Sequence, residues 1–281
     1  MPRNKRLDES AVLWVQGGLG NQLFQLSAAF QTAQQKSLSL LLSRSSFGRD
    51  KLRNFELERL INPTKILTSA EEHRLGQPYN WRGKRRTSPL LSNVRFQFAS
   101  DHPQESDFEP GTLNIGFYQE HAWLELPTDI VRGELTHQAS AVKGMLREGQ
   151  LVAHVRRGDY ATSASARASF GFLDRDYYHR AASELGRELQ EAIIFTDDVQ
   201  AVQREFGVSR DQVVGSDDIR SPLDTLLTMS TASALIIPNS TFSWWAAEIA
   251  GDVPVAAPET WFFDRPEDLK RQQWIAVPNS S

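Results

Sequence analysis

Short apolar runs alternate along the chain with longer stretches in which apolar residues recur at helical spacing. Residues 12–15 form the first such run and predict a strand. After a glycine-rich break, Leu23, Phe24, Leu26, Ala29, Phe30 and Ala33 lie on one stripe, which predicts an amphipathic helix from Asn21 to about Lys36. A second strand is expected over 38–42. From 43 to 106 the pattern loosens into short apolar clusters with basic punctuation, notably Arg82-Gly83-Lys84-Arg85-Arg86. Strand character returns over 112–118, and 128–146 reads as a helix that carries the chain between two domains.

The alternation is cleaner in the second half. Strands are expected over 151–155, 192–195, 212–214, 234–237 and 253–256, with a covering segment over 258–274. Between them lie helices: one opening at Asp174 or Asp176 with a Tyr177, Tyr178, Ala181, Ala182, Leu185 stripe, one over 199–206, one over 222–230, and one containing Trp244, Trp245, Ala246 and Ile249. Both tryptophans read as core. Strands alternating with helices in both halves predict an α/β fold with parallel sheets, and the length of 281 residues accommodates two domains, 1–148 and 149–281.

Composition narrows the function classes. With 31 basic and 35 acidic residues the net charge is -4, which offers no general electrostatic case for nucleic acid. There is no cysteine, so disulfides and thiolate metal sites are excluded. No apolar segment approaches the roughly 20 residues of a spanning helix, and MPRNKRLDES is not followed by a signal-type apolar stretch. A cytoplasmic protein is expected, with peripheral contact at the inner membrane left open. The run at 82–86 reads as a solvated loop, or as attraction to an anionic acceptor or a lipid-bearing surface.

The candidate chemistry gathers at strand ends. LVAHVRRGDY runs from an apolar strand into His154, Arg156, Arg157, Gly158 and Asp159. Open α/β sheets place ligands at carboxyl ends of strands, and a guanidinium fork matches phosphate oxygens, so the cluster suggests an anionic ligand such as a diphosphate. Side chains alternate along a strand, which puts His154 and Arg156 on one face and Val155 and Arg157 on the other, so only one arginine need reach the ligand. The competing reading is that Arg157 and Asp159 pair with each other or with neighbours and hold a loop in shape.

Two glycine or hydroxyl turns accompany it. The Gly17-Gly18-Leu19-Gly20-Asn21-Gln22 run between a strand and a helix offers backbone amides to phosphate or a sugar hydroxyl, although it matches neither the Walker spacing nor the dinucleotide fingerprint. Asn239, Ser240, Thr241, Phe242 and Ser243 open another helix, where hydroxyls and unpaired amides suit an anion as well as plain capping. Asp197 and Asp198 follow a third strand; one is expected to cap the next helix and one to accept from the N1 and N2 donors of guanine. Asp174-Arg175-Asp176 spells D-x-D but opens a helix, and is assigned to capping. The small-residue stretch 161–172 reads as a substrate-facing lid, and Phe117, with His121 and Trp123 nearby, suits either sugar recognition or core.

HVRRGDY resembles the H-x-R-R-x-D motif of the α-1,2-, α-1,6- and O-fucosyltransferase superfamily, and its form is most similar to glycosyltransferase family 11, the α-1,2-fucosyltransferases. GGLGNQLFQ, FTDD, NSTFSWW and the GFYQ stretch extend the resemblance over nearly the whole chain. It implies a GT-B fold of two Rossmann-like domains facing across a cleft, the N-terminal one mainly on the acceptor side. It also implies inverting, metal-independent transfer of L-fucose from GDP-β-L-fucose to a sugar hydroxyl, by analogy the 2-OH of a galactoside in glycan or polysaccharide synthesis. Arg156 is then expected to stabilise the departing β-phosphate, with Ser240, Thr241 and Ser243 assisting, and Asp159 is the candidate base, although early departure of the leaving group needs little base assistance. Gly18, Gly20, Asn21, Gln22, His154, Arg157, Asp198, Asn239 and Phe242 complete the expected GDP-sugar contacts, Asp198 near the base. Animal members are membrane-anchored in the Golgi, so the chain is expected to be of the bacterial, soluble type. The alternatives are a transferase for another GDP-deoxyhexose such as colitose, or a nucleotide- or glycan-binding protein without turnover.

Overall fold

The computed structural model describes residues 5–48, 50, 52–75, 93–96, 107–124, 129–139, 146–158, 168–264 and 268–280. The chain divides into two compact units, Met1–Gly133 and Glu134–Ser281. Each is built on a wholly parallel sheet, the α/β class expected, and a pair of such units is what a GT-B chain comprises. The division falls inside a helix, Asp129–Ala139, whose expected continuation to 146 runs outside the described residues. Among the described residues no helix is long and apolar enough to cross a membrane.

In the first unit the strands are β1 (Ser10–Trp14), β2 (Ser39–Ser43), β3 (Asn93–Phe96) and β4 (Thr112–Ile115), in the order β2-β1-β4-β3. β1 and β4 are buried on both faces, as parallel strands with covered faces must be. Helix α1 (Leu19–Gln35) follows β1 directly and ends at Lys36, as its apolar stripe predicts. Its start differs by two residues, because the helix begins inside the glycine run with Gly18 as cap. β3 and a short helix, α2 (Ser69–Leu75), lie in the stretch from 43 to 106, where no element was expected. The basic run 82–86 lies outside the described residues.

The second unit has six strands: β5 (Leu151–Val155), β6 (Ile193–Thr196), β7 (Val213–Val214), β8 (Ala234–Ile236), β9 (Val255–Pro258) and β10 (Ile275–Val277). Their order is β10-β9-β8-β5-β6-β7. From β5 the chain moves outward through β6 and β7, then returns to β8 on the other side of β5 and moves outward again. That is the doubly wound order, and its reversal point lies between β5 and β8. The expected last strand at 253–256 starts two residues later, at Val255, and β10 adds an edge strand not anticipated.

Helix α3 (Arg175–Glu184) covers one face, with Tyr177, Tyr178, Ala181 and Ala182 packed into a core that includes Leu151, Ala153, Val155, Ile194 and Ile236. Asp174 caps it by accepting from the Tyr177 amide at 2.9 Å, so D-x-D here does the capping work assigned to it. Both tyrosine hydroxyls are spent on strand ends: Tyr177 donates to the Ile237 carbonyl at 2.7 Å and Tyr178 to the His154 carbonyl at 3.1 Å. The two strands flanking the reversal point are thus pinned from beneath by adjacent residues of one helix. Helix α4 is Val199–Phe206, α5 is Pro222–Met229 and α6 is Thr241–Ala250, whose Trp244 and Trp245 are fully buried, as expected for core.

Candidate functional site: the carboxyl ends of β5 and β8

β5 and β8 lie side by side at the reversal point, and the carboxyl ends of strands at such a point are where doubly wound sheets bind ligands. His154 and Arg156 come from the first strand; Asn239 to Ser243 come from the second and run into α6. The His154 ring packs on Phe242, with centroids 5.7 Å apart. This contact joins the basic strand end to the start of the helix.

His154 is buried, and its Nδ1 has no hydrogen-bond partner among the described residues. Burial first, and the Arg156 charge second, lower its pKa to about 3 against the opposing pull of Asp197. The ring is therefore neutral near pH 7, offering hydrogen bonding without adding charge.

Arg156 and Asp197 form an ion pair, Nε to Oδ2 3.7 Å. Asp197 Oδ1 also accepts the backbone amides of Arg157 at 2.7 Å and Gly158 at 3.0 Å. Burial alone would raise the Asp197 pKa, but the Arg157 amide, the Arg156 charge and the Gly158 amide outweigh it and keep the carboxyl below its ordinary value. An ionised carboxylate thus ties the end of β6 to the end of β5 and sits against the arginine expected to face the ligand. Sequence reading placed one of the two adjacent aspartates at the base and one at a cap. Asp198 is the cap of α4, accepting from the Ala201 amide at 2.9 Å, and the central carboxylate is Asp197.

Alternation along β5 holds, and it separates the two arginines. Arg157 lies on the α3 and α4 face, its fork closed on Glu205 (Nε–Oε2 2.6 Å, Nη2–Oε1 2.8 Å), while Nη1 donates to the Arg156 carbonyl at 2.9 Å. Its guanidinium stacks over Phe172 at 4.6 Å and Phe206 at 5.6 Å. Expected among the nucleotide contacts, Arg157 is instead committed to the scaffold, which is the competing structural reading with Glu205 as partner. Asp159, the other partner considered and the candidate base, lies outside the described residues, as does 161–167 of the expected lid.

At the start of α6, Ser240 is the cap residue but its side chain makes no capping bond. Ser240 Oγ is buried without a hydrogen-bond partner among the described residues. Ser243 Oγ turns back to the Ser240 carbonyl at 3.3 Å, and Thr241 is partly exposed. Asn239 differs from its expected role, because its amide donates to the carbonyls of Phe170 and, at 3.2 Å, Trp261. Those bonds fasten the helical segment 168–170 and the Trp261 segment to the chain just after β8. A buried, unbonded hydroxyl at a ten-residue helix start suits an anionic oxygen.

The glycine run belongs to the first unit. Gly17 has φ +80°, where a Cβ would meet the Asn21 amide at 2.8 Å, so this turn requires glycine. Gln22 is fully buried and bonds only backbone: Nε2 to the carbonyls of Gly17 (2.8 Å) and Asn54 (2.7 Å), Oε1 from the Glu56 amide (2.9 Å). It shapes the loop rather than facing a ligand, as does Gln25, which bonds both backbone groups of Gln16. Gly18 and Gly20 hold the turn at the helix start, and Asn21 Oδ1 accepts from Gln119 Nε2 at 2.9 Å.

Comparison with known proteins places these features in a family. The chain is similar to the O-antigen biosynthesis glycosyltransferase WbnK of Escherichia coli, 28% identical across 92% of this chain and 97% of that one. It is similar to an alpha-1,2-colitosyltransferase of Escherichia coli, 25% identical across 93% and 96%. Among solved structures, the NodZ alpha-1,6-fucosyltransferase soaked with GDP-fucose aligns over 88% of this chain and 94% of its own at 16% identity, with a TM-score of 0.46. The model of glycosyl transferase family 11 matches residues 114–278, which is more than half of the chain and spans both strand ends described above, and the chain belongs to that family.

Proposed function

We propose that the chain transfers L-fucose, with inversion and without a metal, from GDP-β-L-fucose to a sugar hydroxyl, the 2-OH of a galactoside. The C-terminal unit is assigned the donor and the N-terminal unit the acceptor. The observation that carries the reading is the His154–Phe242 contact, which joins the strand that carries Arg156 to the start of α6 at the reversal of the parallel sheet. As the glycosidic bond lengthens, positive charge builds on the sugar ring and negative charge on the β-phosphate. Fixed donors aimed at that phosphate lower the barrier without reorganising. Arg156 supplies the charge, and Ser240 Oγ with the first amides of α6 supplies neutral donors. Asp159 is the candidate base for the acceptor hydroxyl.

A second reading differs only in the sugar. One relative is an alpha-1,2-colitosyltransferase, and colitose, like fucose, reaches an enzyme as a GDP-activated deoxyhexose. Fucose is preferred for the resemblance of the strand-end motifs.

Calorimetry with GDP, GDP-fucose and GDP-mannose, followed by transfer assays from GDP-fucose and GDP-colitose to a galactoside panel with and without chelator, tests the reading. Transfer of fucose, insensitive to chelator, is the expected result. Arg156→Lys keeps the charge but loses the fork, and is expected to lower the rate about a hundredfold or more. Near-normal turnover in that variant would remove Arg156 from the mechanism, and exclusive use of GDP-colitose would replace the donor.

A further inference from the structure

The first unit has its own reversal point. In the order β2-β1-β4-β3 the chain leaves β1 for β2 on one side and returns through β3 to β4 on the other, so the carboxyl ends of β1 and β4 flank the place where loops diverge. The glycine run follows β1. Gly116-Phe117-Tyr118-Gln119 follows β4.

The second of these turns is strained. Tyr118 has φ +55°, a left-handed conformation that bulky residues adopt only when the surroundings impose it. Two anchors impose it here. The Tyr118 ring is buried against Phe108 at 5.4 Å and Trp123 at 5.1 Å, and the next residue, Gln119, is buried and donates to Asn21 at the start of α1 at 2.9 Å. With the residues after it held inward, Phe117 is turned out and is 43% exposed, directly after the buried strand β4.

A rigid, exposed aromatic face with no polar atom is matched by a ligand that presents aligned C–H groups, and a β-galactoside does so: its axial 4-hydroxyl leaves C3, C4 and C5 hydrogens together on the opposite face. We propose that Phe117 is the acceptor platform of this enzyme, stacking on the apolar face of a galactoside and so holding the reacting hydroxyl in register. The electronegative ring face meets the sugar's C–H groups, an interaction with directional preference as well as buried apolar area. The proposal rests on the transferase reading above.

The test compares wild type with Phe117→Ala and Phe117→Trp, using lactose and methyl β-galactoside. In Phe117→Ala the acceptor KM is expected to rise about tenfold while the GDP-sugar KM moves less than twofold, and Phe117→Trp is expected to restore the acceptor KM. Saturation-transfer NMR of methyl β-galactoside, which needs no turnover, should lose its signal in Phe117→Ala and keep it in Phe117→Trp, with thermal denaturation confirming that each variant is folded. An unchanged acceptor KM in folded Phe117→Ala, or equal rises for donor and acceptor, overturns the platform. Wild-type protein that gives the Phe117-dependent NMR signal but transfers neither sugar overturns the transferase reading and leaves the platform standing.

Discussion

The Asp197 carboxylate occupies the space that a side chain at residue 158 would need: Oδ1 accepts the Gly158 amide at 3.0 Å, and a Cβ on Gly158 would lie 2.9 Å from Oδ2. Glycine at 158 is therefore a condition for the carboxylate's reach across to Arg156. Gly158→Ala must push the carboxylate away and loosen the arginine. A misplacement of about 1 Å at a catalytic group can cost roughly a hundredfold in rate, and a loss of about ten- to a hundredfold in kcat is expected for both Gly158→Ala and Asp197→Asn. Steady-state kinetics beside a denaturation curve check this. A stability loss with kcat intact would make the clamp purely architectural.

The adjacent arginines should separate by what they damage. Arg157 is 5% exposed and its partner Glu205 is 29% exposed, so removing the carboxylate charge strands a largely desolvated guanidinium. Breaking a buried pair costs about 3–5 kcal/mol, and the partial exposure of Glu205 places Glu205→Gln near the lower figure, about 3 kcal/mol. Urea unfolding should show that loss as a lower midpoint. Arg156→Lys, by contrast, should leave the midpoint nearly unchanged while lowering the rate. A reversed pattern, with Glu205→Gln stable and Arg156→Lys unfolded, would exchange the roles assigned to the two residues.

Residue types and spacing carried much of this arrangement, and they failed where the decisive partner is far away in sequence. The strands at 151–155 and 234–236 are short apolar runs between glycine or polar breaks, so the sheet and its strand ends were legible. Period-two alternation correctly put Arg156 and Arg157 on opposite faces. Nothing near Arg157 identifies Glu205, which lies 48 positions away on a helix whose register only the packed structure sets. Asp197 and Asp198 are chemically identical neighbours, and only the turn into α4 decides which one caps. β10 escaped notice because its apolar pattern is weak, as the partly exposed Ile275 and the exposed Ala276 show, and β3 because its four residues, NVRF, alternate with polar and charged types in a stretch with no other clear signal. Gln22 was expected among the GDP-sugar contacts because the family resemblance of its loop implies them, and only the packed structure shows its amide spent on the backbone of Gly17, Asn54 and Glu56.

Stability should carry a histidine signature with a definite sign. His154 has an ordinary pKa of about 6.5 when unfolded and about 3 when folded, where burial and Arg156 oppose the charge. Below about pH 6.5 the unfolded chain takes a proton that the folded site refuses, so stability falls as pH drops from about 6.5 towards about 3. Asp197, also lowered on folding, adds to the loss only nearer pH 4. Between pH 7 and pH 5 the His154 contribution is about 2 kcal/mol. Unfolding curves for wild type and His154→Gln at both values should differ by that amount in their pH dependence. Parallel curves would mean that His154 titrates normally.

Ser240 offers the sharpest separation of folding from binding. A serine at a helix start ordinarily bonds a first-turn amide, and replacing such a cap with alanine costs about 1 kcal/mol. Here the hydroxyl makes no capping bond and is buried without a partner among the described residues, so the folded chain carries the cost of its desolvation with no return. Ser240→Ala should accordingly leave the unliganded protein as stable as wild type or slightly more so. If the hydroxyl meets a phosphate oxygen, the same change removes a hydrogen bond to a charged group, worth about 1.5–3 kcal/mol, and GDP affinity should fall at least about tenfold. Thermal shift without ligand reads the first effect, and calorimetry with GDP reads the second. A destabilised apo protein with unaltered GDP affinity would make Ser240 an ordinary cap and move the diphosphate away from α6. Equal stability with weakened affinity would locate it there.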